Sequence, residues 1–507
     1  MMESLKIKNN ESVDINSIPL YQYPDFYKAV LGLMEDKDSH CVNYYAFRYN
    51  NKLKFICCIA NDRTGDIELL SHELLPESGG YLDSLSRKVN SLHIYEREIS
   101  ENFGIYFSGH PWAKPVRFPF DRANQKKSLK DYPFLEITGT ETHEVGVGPI
   151  HAGVIEPGHF RFLCKGETVL HLEIHIGYQH RGIEHLMWKK KHLLQRAVLA
   201  ESIAGDTVVG HSLAFAGVME TLYGLQQDPK LNLLRALALE LERMSIHVGD
   251  LSALCVDVAY QLGSSVFGAL RTPLINFVQL WCGNRFAKGL IRTGYNPYPF
   301  TPELKNKLEK VLEEFEGKYL EMADKTFSLP SLLNRFEKTG ILSREQGELI
   351  GAVGMAARMT GIKRDIRASH PFGYFKSLSY EPATFEEGDV WARAMLRNVE
   401  VKKSLQYIRE LLKQIDHLPE ENRKHRYDLY KKPLKANQFC ISLTEGWRGE
   451  ICHCAITNSD GELVHYKIKD PSFHNWLALG LVVRDNEISD FPVCNKSFNL
   501  SYCGYDL

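Results

Sequence analysis

The 507-residue sequence predicts an α+β fold. A small α/β domain comes first, and a mainly helical bundle domain follows, with small antiparallel sheets at its start and end. Three observations carry this. The first 75 residues hold short runs rich in aromatic and β-branched residues, parted by turn signals at Asn50-Asn51 and at residues 62–65. Residues 208–417 are dominated by apolar residues at helical spacing. Alternation returns between residues 439 and 468, broken by the turn Asn458-Ser-Asp-Gly461.

Composition bounds the class. An apolar fraction of 44% and a charged fraction of 24% are ordinary for a soluble globular protein. More than one core is expected at this length. A net charge of -2 argues against a general nucleic-acid binder. No apolar run approaches the ~18 residues of a membrane span. The acidic N-terminus lacks the apolar core of a secretory signal. The 11 cysteines are odd in number and include no C-x-x-C. That fits a reducing compartment and excludes the usual local pattern of a zinc ribbon or ferredoxin-type cluster. No Gly-rich phosphate loop is present, so NADH, if used, is expected to bind elsewhere.

In chain order, residues 1–125 form the first domain, expected to act as a docking module. It holds a helix over 24–36, strands over 44–49, 53–60 and 67–72, and a helix over 79–89. Glu98 and Glu101, three apart on a helix face, read as an exposed face or an interface. Residues 112–140 carry Pro115, Pro119 and Pro133 with several lysines and read as linker, the boundary segment being 126–141. Deleting residues 1–120 is expected to impair assembly more than folding of the remainder. The second domain, 142–507, opens with strands over 145–151, 160–165 and 169–177. The last alternates Leu170, Leu172, Ile174 and Ile176 against His171, Glu173 and His175, as in a half-buried strand. Helices are expected over 187–200, 208–225, 231–258, 270–294, 302–326, 343–357 and 388–409, the last reaching towards 417. Glu240 and Arg243 stand at i,i+3, which reads as a weak surface pair. Lys189–Lys191 reads as a solvated face. Strands over 439–445, 449–457 and 463–468 and a helix over 472–481 precede the tail.

Two stretches carry candidate chemistry. The loop Gly148-Pro-Ile-His151-Ala-Gly-Val-Ile-Glu156-Pro-Gly-His159 brings two histidines and a carboxylate into a backbone stiffened by Pro and Gly. It reads as a site wall or as an ordinary hairpin loop. In Glu201-Ser-Ile-Ala204-Gly-Asp206-Thr207-Val-Val-Gly-His211-Ser212, residues 204 and 207 stand three apart at what reads as a helix start. They project from one face, where a metal enzyme places two soft ligands. Neither side chain here ligates a soft metal.

The ordered set Gly148-Pro-x-His151…Glu156-Pro, Gly177-Tyr-Gln-His-Arg-Gly-Ile-Glu184, Glu201…His211-Ser212, Glu240-Leu-Glu-Arg243-Met-x-x-His247, Arg358…Arg364-Asp365-Ile-Arg367…His370-Pro371, Glu445-Gly-Trp447-Arg-Gly-Glu450 and Lys469-Asp-Pro471 resembles a known family. It is similar to the large subunit of energy-converting nickel–iron hydrogenases, homologous to the quinone-site subunit of respiratory complex I. Residues 96–111 resemble the adjacent accessory subunit of complex I, fused here as in large subunits of formate hydrogenlyase type. The resemblance implies four cysteine ligands for nickel and iron. Here those positions are Ala204, Thr207, Leu500 and Cys503, so no nickel–iron centre and no hydrogen chemistry are expected. The chain stops four residues after Cys503, which leaves no long extension for a maturation protease. The complex I quinone tyrosine falls at His211, and the loop is of hydrogenase type, Glu156 matching that family's proton-passing glutamate.

The implied function is a peripheral-arm subunit at the cytoplasmic face of the inner (plasma) membrane. Electrons would arrive from a partner iron–sulfur subunit and pass to a two-electron acceptor, quinone being expected, with antiporter-like membrane subunits moving ions. Glu156, His211 and Asp206 are the candidate catalytic residues. His151, His159, Glu184 and Cys503 are the candidate cavity residues. This chain is expected to bind no cofactor, metal or nucleic acid itself; the cluster belongs to the partner. The alternatives are a non-catalytic coupling scaffold and an atypical nickel–iron hydrogenase.

Overall fold

The computed structural model describes residues 3–75, 80–139, 141–153, 155–226, 228–419 and 432–507. The N-terminal sheet is a meander of Ser39–Tyr49, Lys52–Asn61 and Asp66–Leu74. Leu5–Ile7 and Leu20–Tyr21 both pair with its third strand, antiparallel and parallel respectively. The helix Tyr23–Met34 buries Phe26 and Val30 against it. The expected helix over 79–89 does not form. Tyr81–Asp83 pairs in parallel with Tyr106–Ser108, and Leu85–Arg87 is a single 3-10 turn; Gly79 lies outside the described residues.

The second body opens on the antiparallel sheet Thr142–Val147, His159–Lys165 and Thr168–His175. A register shift after Leu163 leaves Leu170 exposed, and Lys114, Leu135 and Tyr132 cover Glu173 and His175, so both are buried. The predicted 187–200 helix is two, Ile183–Lys189 and Leu193–Ala200. The exposed lysine run sits at the break, as a solvated segment does. The 29-residue helix Pro229–Asp257 is the axis of the bundle, flanked by Gln261–Cys282 and Val390–Gln414. Gln261–Cys282 replaces the expected 270–294 helix, because Gly283 in the left-handed region ends it. Gly351 likewise cuts the expected 343–357 helix into Arg344–Ile350 and Met355–Arg358. The tail adds two short helices, Phe491–Phe498 and Tyr502–Asp506, that carry no apolar periodicity long enough to read. Among the described residues, no helix is long and apolar enough to cross a membrane.

The C-terminal sheet ties the two ends of the chain together. Leu463–Lys469, Glu450–Thr457 and Gln438–Glu445 are joined at the edge by Glu11–Asp14. Polar contacts reinforce this junction: His40 Nε2 lies 2.7 Å from Glu450 Oε2, Lys467 Nζ 2.7 Å from Glu98 Oε1 and Arg364 Nε 2.9 Å from Asp62 Oδ2. Glu98 is thus buried in an ion pair rather than exposed. Glu101 accepts the backbone N–H groups of Val116, Arg117 and Phe118. The expected linker is correspondingly packed: Val116, Arg117, Phe118 and Tyr132 are buried.

Candidate functional site

Residues 201–207, the turn 445–449 and the tail 499–506 meet at one rim, with the loop 148–159 beside it. Two arginines hold them. Arg448 donates to both Asp206 oxygens, at 2.6 and 2.7 Å, to Thr207 Oγ1 at 3.0 Å and to the Asn499 carbonyl at 2.5 Å. Arg181 donates to the carbonyls of Ser202, Ile203 and Cys503 at 2.6, 3.0 and 3.2 Å. The helix Val208–Tyr223 starts only after this turn, with Thr207 at its N-cap. Ala204 and Thr207 therefore stand on an irregular segment, not on a helix face. Glu242 accepts from Val209 and Gly210 N–H at 2.7 and 3.2 Å, so its carboxyl sits on the positive helix end.

The turn 445–449 is placed by close backbone approach. A Cβ on Gly354 would lie 2.1 Å from the Arg448 carbonyl oxygen, a contact only glycine allows. Trp447 is buried and donates its indole N–H to the Asp206 carbonyl at 2.9 Å. Below the turn lies a buried ionic network. Arg358 bonds Glu445 at 2.8 Å and Glu400 at 2.6 Å, and Arg367 bonds Asp365 at 2.7 Å and Glu240 at 3.2 Å. Arg243 donates to the carbonyls of Glu445 and Gly446, and His247 Nε2 lies 2.7 Å from Glu400. The expected weak surface pair Glu240–Arg243 is thus fully inside, 3.4 Å apart. Four carboxylates face three guanidiniums here. Burial, and the like charge of Asp365, push Glu445 up to about 7.

The rim has an apolar floor and a polar edge. Ala204, Thr207 and Leu500 are buried, whereas Glu156, Asp206 and Cys503 are half-buried. Burial, and the charge of Glu156, push the Cys503 thiol up to about 11, so it stays protonated at neutral pH. Behind it, Asp506 accepts from the N–H groups of Gly177 and Gln179, both at 2.7 Å, and burial raises it to about 7.

The other predicted residues lie elsewhere. His151 Nε2 is 2.8 Å from the Gly158 carbonyl and His159 Nδ1 is 3.1 Å from that of Gly148, so both brace the loop. Glu184 accepts from Ile468 N–H at 2.8 Å and pairs with Lys467 at 3.0 Å. It lines a separate cavity of about 860 Å³ between the N-terminal module and the body, together with Glu98, Arg117 and Arg181. His211 is fully buried, with Nδ1 on His453 and Nε2 on Asp470. It lies below the rim, not at an open cavity.

Residues 22–135 match the family of the respiratory-chain NADH dehydrogenase 30 Kd subunit, and residues 263–506 match that of its 49 Kd subunit. The two matches stand side by side in one polypeptide. Hydrogenase-4 component G of Escherichia coli (strain K12) is 24% identical, over 98% of this chain and 87% of that protein. Formate hydrogenlyase subunit 5 of the same organism is 26% identical, over 80% and 74%. NADH-quinone oxidoreductase subunit 4 of Thermus thermophilus is 24% identical, over 69% and 90%. The region matching the 49 Kd subunit family holds the 445–449 turn and residues 499–506 of the tail, while the 201–207 turn lies outside both matched regions. Arg181, Glu242, Arg448 and Asp506 are rim residues that sequence reasoning did not select. All but Asp506 stand within or beside the motifs that carry the resemblance. Arg448 pairs with a residue 242 positions away, however, and no local spacing reveals such a partner.

Proposed function

We propose that this chain is the peripheral-arm subunit of a membrane-bound complex I-like, hydrogenase-related oxidoreductase. It takes electrons from a partner iron–sulfur subunit and delivers them at the rim to a quinone, coupled to ion translocation, without a nickel–iron centre. The carrying observation is the donor set at the rim. A nickel–iron pair needs bridging thiolates. The four positions that the resemblance implies are Ala204, Thr207, Leu500 and Cys503, three without sulfur, and the fourth a thiol whose burial disfavours the thiolate. The residues do not fit that group.

The polar edge suits a different task. Reducing a quinone to a quinol takes two electrons and two protons. Glu156, half-buried beside Cys503, is placed to give a proton to a quinone oxygen as charge develops there. Arg181 and Arg448 set positive charge next to that oxygen. Both Asp206 oxygens are taken by Arg448, so Asp206 positions the arginine. The burial of Ala204, Thr207 and Leu500 favours a second reading, a coupling scaffold in which partners need only the surfaces.

The test is quinone reduction by the purified complex with a reduced viologen donor, together with metal analysis. The expected result is quinol formation, lowered about 100-fold in kcat by Glu156→Gln, with nickel far below one per chain. A complex that reduces no quinone with any donor leaves the scaffold, and stoichiometric nickel overturns both readings.

A further inference from the structure

Beneath the rim runs a second polar array that the proposal above leaves unused. Tyr466 Oη lies 2.9 Å from His453 Nδ1, His453 Nε2 lies 3.1 Å from His211 Nδ1, and His211 Nε2 lies 3.0 Å from Asp470 Oδ2. All four residues are fully buried. A polar chain of this length is tolerated in a core only if every member is satisfied.

With one proton on each ring, hydrogen-bond capacity gives the array one direction. An ionised Asp470 only accepts, so His211 carries its proton on Nε2. A neutral His211 then accepts at Nδ1, so His453 donates from Nε2. His453 Nδ1 in turn accepts from the Tyr466 hydroxyl. Burial holds His453 well below the usual histidine range. Burial alone would raise Asp470, but the bond from His211, the charge that ring carries when protonated, and the charge of Arg448 hold it below the usual carboxylate range.

The two ends lie against different places, both end residues being fully buried. Tyr466 is among the residues lining the 860 Å³ inter-module cavity. Asp470 packs against Gly504. A Cβ there would lie 2.8 Å from Asp470 Oδ2 and 2.9 Å from Ser501 Oγ, so the missing side chain leaves the two oxygens sharing one niche. Ser501 Oγ is 3.4 Å from Cys503 Sγ, at the rim.

We propose that Tyr466, His453, His211 and Asp470 form a one-proton relay between the inter-module cavity and the rim. A proton from cavity water binds the Tyr466 oxygen as its own hydroxyl proton moves to His453 Nδ1. The His453 Nε2 proton moves to His211 Nδ1, and the His211 Nε2 proton moves to Asp470. No electrons move. The net change is one proton carried from the cavity to Asp470, which becomes a neutral acid. Both rings end with their protons on Nδ1, and after Asp470 gives up its proton both must turn over before a second can follow, so the array carries protons singly. The relay rests on the proposed function for its use, as a proton supply to the rim, but not for its operation.

The test uses the full chain labelled with 15N-histidine. One-bond 15N–1H couplings are expected to show both rings protonated on Nε2 at neutral pH. After transfer to deuterium oxide, the His211 Nε2–H signal is expected to decay at least 10-fold more slowly in Tyr466→Phe than in the wild type. The backbone amides of Val208–Tyr223 are expected to exchange at unchanged rates, which separates a broken relay from a loosened fold. If Tyr466→Phe does not fold, His453→Gln carries the same expectation. An Nδ1–H tautomer at His211, or a His211 exchange rate unaffected by the substitution, overturns the relay. A complex that passes this test yet reduces no quinone overturns the quinone reading and leaves the relay standing.

Discussion

At the residue scale, Arg448 does more than any other side chain to hold the rim together. It is 4% exposed and joins Asp206, Thr207 and Asn499. Breaking a buried ion pair from one side costs about 3–5 kcal/mol. The Asp206 side chain is 33% exposed, which lets water rescreen it. Arg448→Met is therefore expected to lose about 2–3 kcal/mol, read from the urea midpoint of the full chain. Asp206→Asn is expected to lose less, because Arg448 keeps Thr207 and Asn499. Equal losses in the two variants would show that the arginine acts through Asp206 alone. Cys503 belongs at this scale too. Its burial and the neighbouring carboxylate keep its thiol protonated at neutral pH.

At the element scale, the strand Glu11–Asp14 decides how the first 125 residues behave. It forms the edge of the sheet that presents the 445–449 turn. Removing residues 1–120 would uncover Gln438–Glu445 as an unpaired edge. It would also strip Glu450 of His40 and Lys467 of Glu98. The remainder is thus expected to fail to fold on its own, against the expectation from sequence that mainly assembly would suffer. Far-UV circular dichroism and limited proteolysis of a 121–507 fragment check this. A protease-resistant fragment with a cooperative melt would refute it. The sequence concealed the pairing because a four-residue strand followed by a turn has no long-range signature.

At the scale of the whole molecule, buried charge sets the pH response. Asp506 and Glu445 are raised to about 7 and Glu242 to about 8, burial being the largest cause for each. A carboxyl whose folded pKa lies above its unfolded value opposes folding once it must ionise. By themselves these three groups make stability fall as pH rises from about 4 through 7 to 8. Glu400, Asp365, Asp470 and Asp62 are held below their ordinary values, against the cost of burial, by arginine and histidine neighbours. Their contribution is present above about pH 4 and lost below it. Buried histidines such as His72, His175, His465 and His474, held at about 3 by burial, add stability as pH rises towards 6.5. The melting temperature is therefore expected to peak at about pH 6.5, and Asp506→Asn is expected to flatten the limb above it. A peak above pH 7 would contradict the assignment. The fold class, the three sheets of the longer strands and most helices were legible in the sequence, because alternation and helical periodicity are local consequences of backbone geometry. Tertiary structure alone decided that Ala204 and Thr207 sit on a turn, that Glu240 and Arg243 are core residues, and that His211 lies below the rim. Each of those outcomes depends on partners more than 100 residues away, Arg448, Arg367 and Asp470. Burial of a charged group is settled by what meets it in space, and no spacing along the chain encodes that.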